Sequence, residues 1–201
     1  MSKIKICGLR TLEDVHYTNQ VQPDYAGFIF VPGRRRCITP QTARELRSQL
    51  SPEIASVGVF WDAPLEELLS LADQNLFTVI QLHGNEDAGY IQALKASCPF
   101  PVVKAFSIRS AADVEQALWS PADYLLFDNG KGGTGQSFDW SLLGSVGKPF
   151  FLAGGLNASN VAEAITHLAP YAVDTSSGVE TAGKKDLLKM RAFVQAVRSL
   201  S

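Results

Sequence analysis

Eight short apolar runs divide this chain from end to end, with starts roughly 24 residues apart. They read KIKIC (3–7), YAGFIFV (25–31), IASVGVF (54–60), TVIQLH (78–83), PVVKAF (101–106), YLLFD (124–128), PFFLAG (149–154) and YAVDTSS (171–177). β-branched and aromatic residues dominate them, and their lengths suit strands rather than helices. Helical spacing fills several of the gaps. TARELRSQL (42–50) sets Ala43, Leu46 and Leu50 at i, i+3 and i+7. PLEELLSLA (64–72) opens on Pro64 at a first helical position and lines up Leu65, Leu68, Leu69 and Ala72. NASNVAEAITHLA (157–169) carries a Val161, Ile165, Leu168 stripe behind an Asn or Ser cap, and KKDLLKMRAFVQAVRSL (184–200) is amphipathic. The stretch after Asp128 is the least regular, glycine-rich and then FDWSLL (138–143).

Strands alternating with helices imply a parallel sheet with right-handed crossovers. Eight units in 201 residues predict an α/β fold, a single-domain (β/α)₈ TIM barrel at the small end of its size range, covering residues 1–201. An open doubly wound sheet is the alternative, but it would divide the chain less evenly. No composition break suggests a second domain.

In a barrel strand, alternate residues face the lumen and the helices. Lys3, Lys5 and Cys7 share one parity, against Ile4 and Ile6. The fourth run sets Gln81 and His83 against Ile80 and Leu82, and the fifth sets Lys104 against Val103 and Ala105. The sixth sets Asp128 against Leu125 and Phe127, and the eighth sets Asp174 and Ser176 against Val173. Polar groups therefore gather in the lumen, mostly at the strands' C-terminal ends. Unpaired polar groups are costly there, so the cluster calls for a ligand or a network. Lys5, Lys104 and Asp174 either pair among themselves or meet that ligand.

Several motifs sit where a barrel does chemistry. KICG (5–8) ends the first run with Cys7 on the lumen parity; Cys37 and Cys98 read as structural. DNGKGGTG (128–135) contains a formal GxGxxG, but it follows the sixth run and lacks the downstream acid of a dinucleotide site. It reads instead as a loop over the barrel mouth with Asp128 anchored at its root. AGGLN (153–157) and DTSSGVE (174–180) follow the seventh and eighth runs, where barrels often bind phosphate. Gly154, Gly155, Ser176, Ser177 and Gly178 there can offer backbone N–H groups and hydroxyls. GRRR (33–36) is either solvated charge or a bidentate clamp for a carboxylate.

Composition removes other classes. With 18 basic and 20 acidic residues, nothing favours nucleic acid or an anionic membrane as partner. No apolar run approaches the ~18 residues of a membrane span, and MSKIKICGLR has no signal-peptide core. Three scattered cysteines and three scattered histidines offer neither a disulfide framework nor metal spacing, so the expectation is a cytoplasmic protein with no metal.

The motifs KICGLR (5–10), GFIFVPGRRR (27–36), VGVF (57–60), QLHG (81–84), LLFDNGKGGTGQSFDW (125–140), LAGGLN (152–157) and VDTSSGVE (173–180) occur in a telling order. On them the chain resembles the phosphoribosylanthranilate isomerase family of tryptophan biosynthesis, from residue 3 to about residue 190. The resemblance implies a cofactor-free Amadori rearrangement of N-(5′-phosphoribosyl)anthranilate to 1-(o-carboxyphenylamino)-1-deoxyribulose 5-phosphate. It implies Cys7 as general base, Asp128 as general acid and Arg36 as the carboxylate ligand. Gln81, His83 and Asp174 join the substrate-binding set, and the glycine and serine loops hold the phosphate. The partner implied is a small phosphosugar substrate, with no obligate protein partner. The RRRC run (34–37) departs from the family's usual single arginine, which leaves Arg34, Arg35 and Arg36 in competition. Acid–base chemistry of this kind needs a thiolate and a protonated carboxyl together, and lumen cations such as Lys5 favour the thiolate. A metal-dependent sugar-phosphate epimerase would need histidine ligands at strand ends, and a non-catalytic phosphate-binding barrel has no use for both Cys7 and Asp128.

Overall fold

The chain closes a barrel of eight parallel strands in sequence order. The computed structural model describes residues 1–128, 140–144 and 146–200. The strands are β1 (Lys3–Cys7), β2 (Tyr25–Ile29), β3 (Ala55–Phe60), β4 (Val79–Leu82), β5 (Val102–Ser107), β6 (Tyr124–Asp128), β7 (Phe150–Leu152) and β8 (Ala172–Thr175). Each lies inside its apolar run or within one residue of it. The seam joins β1 to β8, with Lys5 opposite Asp174.

Among the described residues seven helices pack outside: α1 (Leu12–Val21), α2 (Pro40–Gln49), α3 (Leu65–Ala72), α4 (Ala88–Ser97), α5 (Ala111–Leu118), α6 (Val161–Leu168) and α7 (Leu187–Arg198). Local chemistry fixes their starts. Thr11 with Asp14 forms a capping box on α1, and Ser110 with Asp113 forms another on α5. Thr39 caps α2 just before Pro40, whose missing N–H costs nothing at that position. Asp87 and Asp186 cap α4 and α7. Pro64 proves to be the cap of α3 rather than its first residue. Between β6 and β7 the described residues form only a 3₁₀ turn, Trp140–Leu143, where the FDWSLL pattern lies. Helices α1 and α4 carry weaker apolar stripes, so the sequence spacing did not single them out. Among the described residues no helix is long and apolar enough to cross a membrane.

Two cores follow from strand parity. Ile4, Ile6, Phe28, Ile80, Phe127 and Leu152 face the helices in the larger one. Cys7, Val57, Val103, Leu126, Phe151 and Ala172 fill the lumen. Lys104 departs from the expectation. Its register partners Leu82 and Leu125 belong to the outer core, while Val103 and Ala105 point inward. It therefore takes no part in a network with Lys5 and Asp174. Instead its ammonium meets Glu86 at 3.2 Å and the Gly84 carbonyl at 2.7 Å. Glu86 in turn accepts from the N–H groups of Asp62 and Gly84. That buried network pins the turn after β4, directly behind His83.

The glycine of VGVF makes room for an aromatic cluster beside this turn. A Cβ on Gly58 would stand 2.7 Å from Cδ1 of Phe77. The Phe77 ring is fully buried and packs against Phe30, Phe60 and Phe100. Gly58→Ala should lower the free energy of unfolding by about 1–3 kcal/mol, the usual scale of overpacking. Adding Phe77→Leu should cost less on that background than on the wild type, because the two sites share one space. Urea titrations of the four proteins check this, and strict additivity contradicts it.

Candidate active site

Cys7 ends β1 on the lumen side, and a neighbouring glycine gives it room. Gly27 is its register partner on β2, and a Cβ there would stand 2.7 Å from the Cys7 sulfur. The next residue, Gly8, has φ +83°, and the stem of Arg36 lies across it. A Cβ on Gly8 would fall 2.6 Å from Cδ of Arg36. The CG dipeptide thus turns the chain off the strand and lets an arginine pass over the turn. The Cys7 carbonyl accepts hydrogen bonds from Oγ of Ser176 (2.9 Å) and Nζ of Lys185 (2.7 Å). Burial pushes the Cys7 thiol up. Lys5 and Lys185 pull it down by charge, as expected of lumen cations, but they do not outweigh burial.

Below Cys7, Lys5 and Asp174 form an ion pair of 2.8 Å inside the barrel. The Lys5 side chain is 1% exposed. Burial works against its charge, but Asp174 and Cys7 together raise its pKa. Burial raises Asp174 despite Lys5, and the charge of Asp128 adds to that rise. Asp128 ends β6 with its side chain in the lumen, and its Oδ2 lies 3.7 Å from Nε2 of His83. The other ring nitrogen of His83 sits 3.0 Å from Nε2 of Gln81. With that nitrogen as acceptor, the ring proton faces Asp128. Two buried oxygens here, Oε1 of Gln81 and Oδ1 of Asp174, have no hydrogen-bond partner among the described residues. The structure thus brings Cys7, Gln81, His83, Asp128 and Asp174 to one mouth, as their parity required.

The arginines separate by partner. Arg34 lies over the Trp61 ring at 4.9 Å, and Trp61 stacks on His83 with centroids 5.7 Å apart. Arg35 is largely exposed and bonds Glu180 at 3.0 Å. Arg36 grips the same carboxylate with Nε (2.7 Å) and Nη2 (2.8 Å). These contacts leave its Nη1 and Nη2 hydrogens as an end-on fork. Trp61, Glu180 and Lys185 were not singled out from sequence. Glu180 lay inside a motif read for its serines, and the pairing of Lys185 with it is tertiary. Trp61 directly follows the third run, with no pattern to mark it.

The loops after β7 and β8 meet beside Cys7. Gly154 and Gly155 have φ +85° and +74°, a left-handed pair that residues with a Cβ rarely adopt. The Gly155 carbonyl is held by Nδ2 of Asn160 at 3.1 Å. Gly178 abuts the Leu156 carbonyl so closely that any Cβ would collide with it. Ser177 is half-buried and starts the 3₁₀ turn Ser177–Val179, while Ser176 spends its hydroxyl proton on Cys7. A cavity of about 640 Å³ opens on the Asp128 side of the mouth, lined by Trp61, His83 and Asp128, and runs outward past Phe106 to Trp119. The stretch 129–139, read as a loop over the mouth, lies outside the described residues.

Residues 4–196 match the family model described as N-(5′-phosphoribosyl)anthranilate (PRA) isomerase. The chain is similar to the N-(5′-phosphoribosyl)anthranilate isomerase of Endomicrobium trichonymphae, 47% identical with all of both chains covered. It is similar in fold to the phosphoribosyl anthranilate isomerase of Thermus thermophilus, with a TM-score of 0.90 and 37% identity over 99% of this chain and 100% of that one. A third similarity is to a phosphoribosyl anthranilate isomerase in complex with reduced 1-(o-carboxyphenylamino)-1-deoxyribulose 5-phosphate. There the TM-score is 0.86, the identity 32%, and 99% of this chain and 100% of that one are covered.

The cations around Glu180 make a pH prediction. Burial works to raise this carboxyl, but hydrogen bonds and charge from Arg36 and Lys185 overcome it and hold it at about 2, below the ordinary 4.5. A depressed carboxyl stabilises the fold fully above its unfolded value and loses that contribution as pH falls through its folded value. Glu180→Gln should lower the unfolding free energy by about 1–3 kcal/mol at neutral pH. The gap to wild type should close between pH 4.5 and about 2. Denaturant unfolding across that range measures it; a gap that stays constant contradicts the assignment.

Proposed function

The chain belongs to the N-(5′-phosphoribosyl)anthranilate isomerase family, and on that premise we propose how its own residues divide the work. The enzyme catalyses the Amadori rearrangement of N-(5′-phosphoribosyl)anthranilate to 1-(o-carboxyphenylamino)-1-deoxyribulose 5-phosphate in tryptophan biosynthesis. In the proposal, Asp128 is the general acid. It gives its proton to the ribose ring oxygen as the C1′–O bond breaks, and the anilino nitrogen supplies the electron pair for the resulting Schiff base. The Cys7 thiolate is the general base. It removes the C2′ proton, the C–H electrons form the enolamine, and the hydroxyl proton then moves to C1′ to give the ketone. Solvent exchange returns a proton to Asp128 and takes one from Cys7. Side chains suffice for every step, so the reading assigns neither a cofactor nor a metal.

The observation that carries this reading is a continuous polar arc in the lumen. It runs from Cys7 through the Lys5–Asp174 pair to Asp128 and His83. Oε1 of Gln81 and Oδ1 of Asp174 lie buried on this arc with no hydrogen-bond partner among the described residues. His83 orients Asp128 from the side of the anthranilate ring. Arg36 takes the anthranilate carboxylate on its end-on fork. The phosphate is held by backbone N–H groups of Gly154, Gly155, Ser176 and Gly178 and by the Ser177 hydroxyl. Residues 1–201 act as one catalytic domain in the cytoplasm on this small phosphosugar, without nucleic acid, membrane or an obligate protein partner.

Turnover of freshly made substrate, followed by its fluorescence, tests the assignment. Cys7→Ala and Asp128→Asn should each lower kcat by roughly 10²-fold or more with the fold intact. Near wild-type turnover in Cys7→Ala removes Cys7 from the mechanism and makes His83 the next base to test. Gly155→Val should raise KM more than it lowers kcat, because a side chain there obstructs the backbone's approach to phosphate. An unchanged KM in a folded Gly155→Val enzyme counts against the phosphate assignment.

A further inference from the structure

A short hairpin beyond β8 plants two charged side chains beneath the mouth. Its strands are β9 (Glu180–Thr181) and β10 (Lys184–Lys185). The turn residues Ala182 and Gly183 have φ +50° and +78°, the left-handed pair of a two-residue hairpin turn. That turn sets Lys185 opposite Glu180 in register, and the two side chains meet at 3.0 Å. Both are buried, with side-chain exposures of 2% and 6%.

Their hydrogen-bonding capacity is fully used. A carboxylate has about four acceptor positions, and cations take all four on Glu180. Oε1 accepts from Nε of Arg36 and Nζ of Lys185; Oε2 accepts from Nη2 of Arg36 and Nη2 of Arg35. An ammonium has three donors. Those of Lys185 reach the Cys7 carbonyl at 2.7 Å, the Ser176 carbonyl at 3.0 Å and Glu180 at 3.0 Å. One carboxylate under three cations leaves the cluster positive, which suits a neighbouring carboxylate ligand. A cluster made only to bury charge would have no reason to end on the backbone of Cys7 at one side and on Arg36 at the other.

We propose that Glu180 is a positioning residue for carboxylate recognition and that Lys185 ties it to the catalytic base. Glu180 grips the Nε edge of Arg36 and turns the end-on fork toward the substrate's carboxylate. Lys185 fixes Glu180 to the Cys7 carbonyl, so the clamp and the base keep a set separation. The inference rests on the roles assigned above to Arg36 and Cys7.

A double-mutant cycle tests the first half, with thermal melts confirming that each protein is folded. Glu180→Gln should raise KM roughly tenfold with a change in kcat of less than about threefold. On an Arg36→Ala background the same change should add less than about twofold, because Glu180 then has nothing to present. A wild-type KM in Glu180→Gln while Arg36→Ala raises KM overturns the positioning role alone. So do additive effects. An unchanged KM in Arg36→Ala shows instead that the clamp itself is misassigned, and the inference falls with it.

The second half is read on the sulfur. Among the described residues the charged groups facing Cys7 are Lys5 from β1, Asp174 from β8, Arg36 from the segment after β2 and Lys185 from the hairpin. In a Cys37→Ser, Cys98→Ala background, iodoacetamide alkylation against pH reports Cys7. Lys185→Met should move that curve to higher pH by about one pH unit and lower kcat about tenfold. Lys185→Gln, which keeps a donor for the Cys7 carbonyl without the charge, should recover part of kcat but not the curve. It supplies the same reading should Lys185→Met fail to fold. An unmoved alkylation curve in the folded variant, or a wild-type kcat, overturns the tie.

Discussion

The Lys5–Asp174 ion pair sits on the seam where the barrel closes, and the site is built upward from it. The two residues are register partners on the first and last strands and meet at 2.8 Å inside the lumen. A buried pair is no strong source of stability by itself, because desolvation offsets much of its attraction. Its value here is registration. Strands alternate their faces with period two, so fixing Lys5 against Asp174 also fixes Cys7 and Ser176, each two residues further on. Those two then meet, Ser176 donating to the Cys7 carbonyl at 2.9 Å. A slip of one residue at the seam would turn Cys7 toward the helices.

Charge is graded across the mouth from this pair. On one side, Lys5 and Lys185 oppose the burial that raises the Cys7 thiol. On the other, Asp174 and Asp128 face each other at a range where their charges interact, and His83 stands beside Asp128. Lys104 contributes differently, from outside the barrel. Its pair with Glu86 steadies the turn after β4, and with it the position of His83.

Much of this was legible in the sequence. All eight strands followed from short β-branched and aromatic runs, and the lumen parity of Cys7, Gln81, Asp128 and Asp174 followed from alternation. Lys104 breaks the pattern because a polar residue there marks no inward face, while Val103 and Ala105 are apolar residues that fill a narrow lumen equally well. The Glu180 cluster was invisible for another reason. It depends on a two-residue turn that folds Lys185 back onto Glu180, and on Gly8 allowing Arg36 to cross the end of β1. Neither contact leaves a periodic trace. Gly27 and Gly58 stand inside strands where a neighbouring side chain passes close by, a need that only the packing reveals.

The seam pair is tested most directly by a stability cycle on Lys5→Met and Asp174→Leu, measured by urea unfolding at neutral pH. Each single replacement strands a buried charge and should cost about 3–5 kcal/mol. The double replacement removes both charges and should recover most of that loss. Single variants that are barely destabilised, or a double variant whose loss equals the two single losses added together, would contradict the account of the seam.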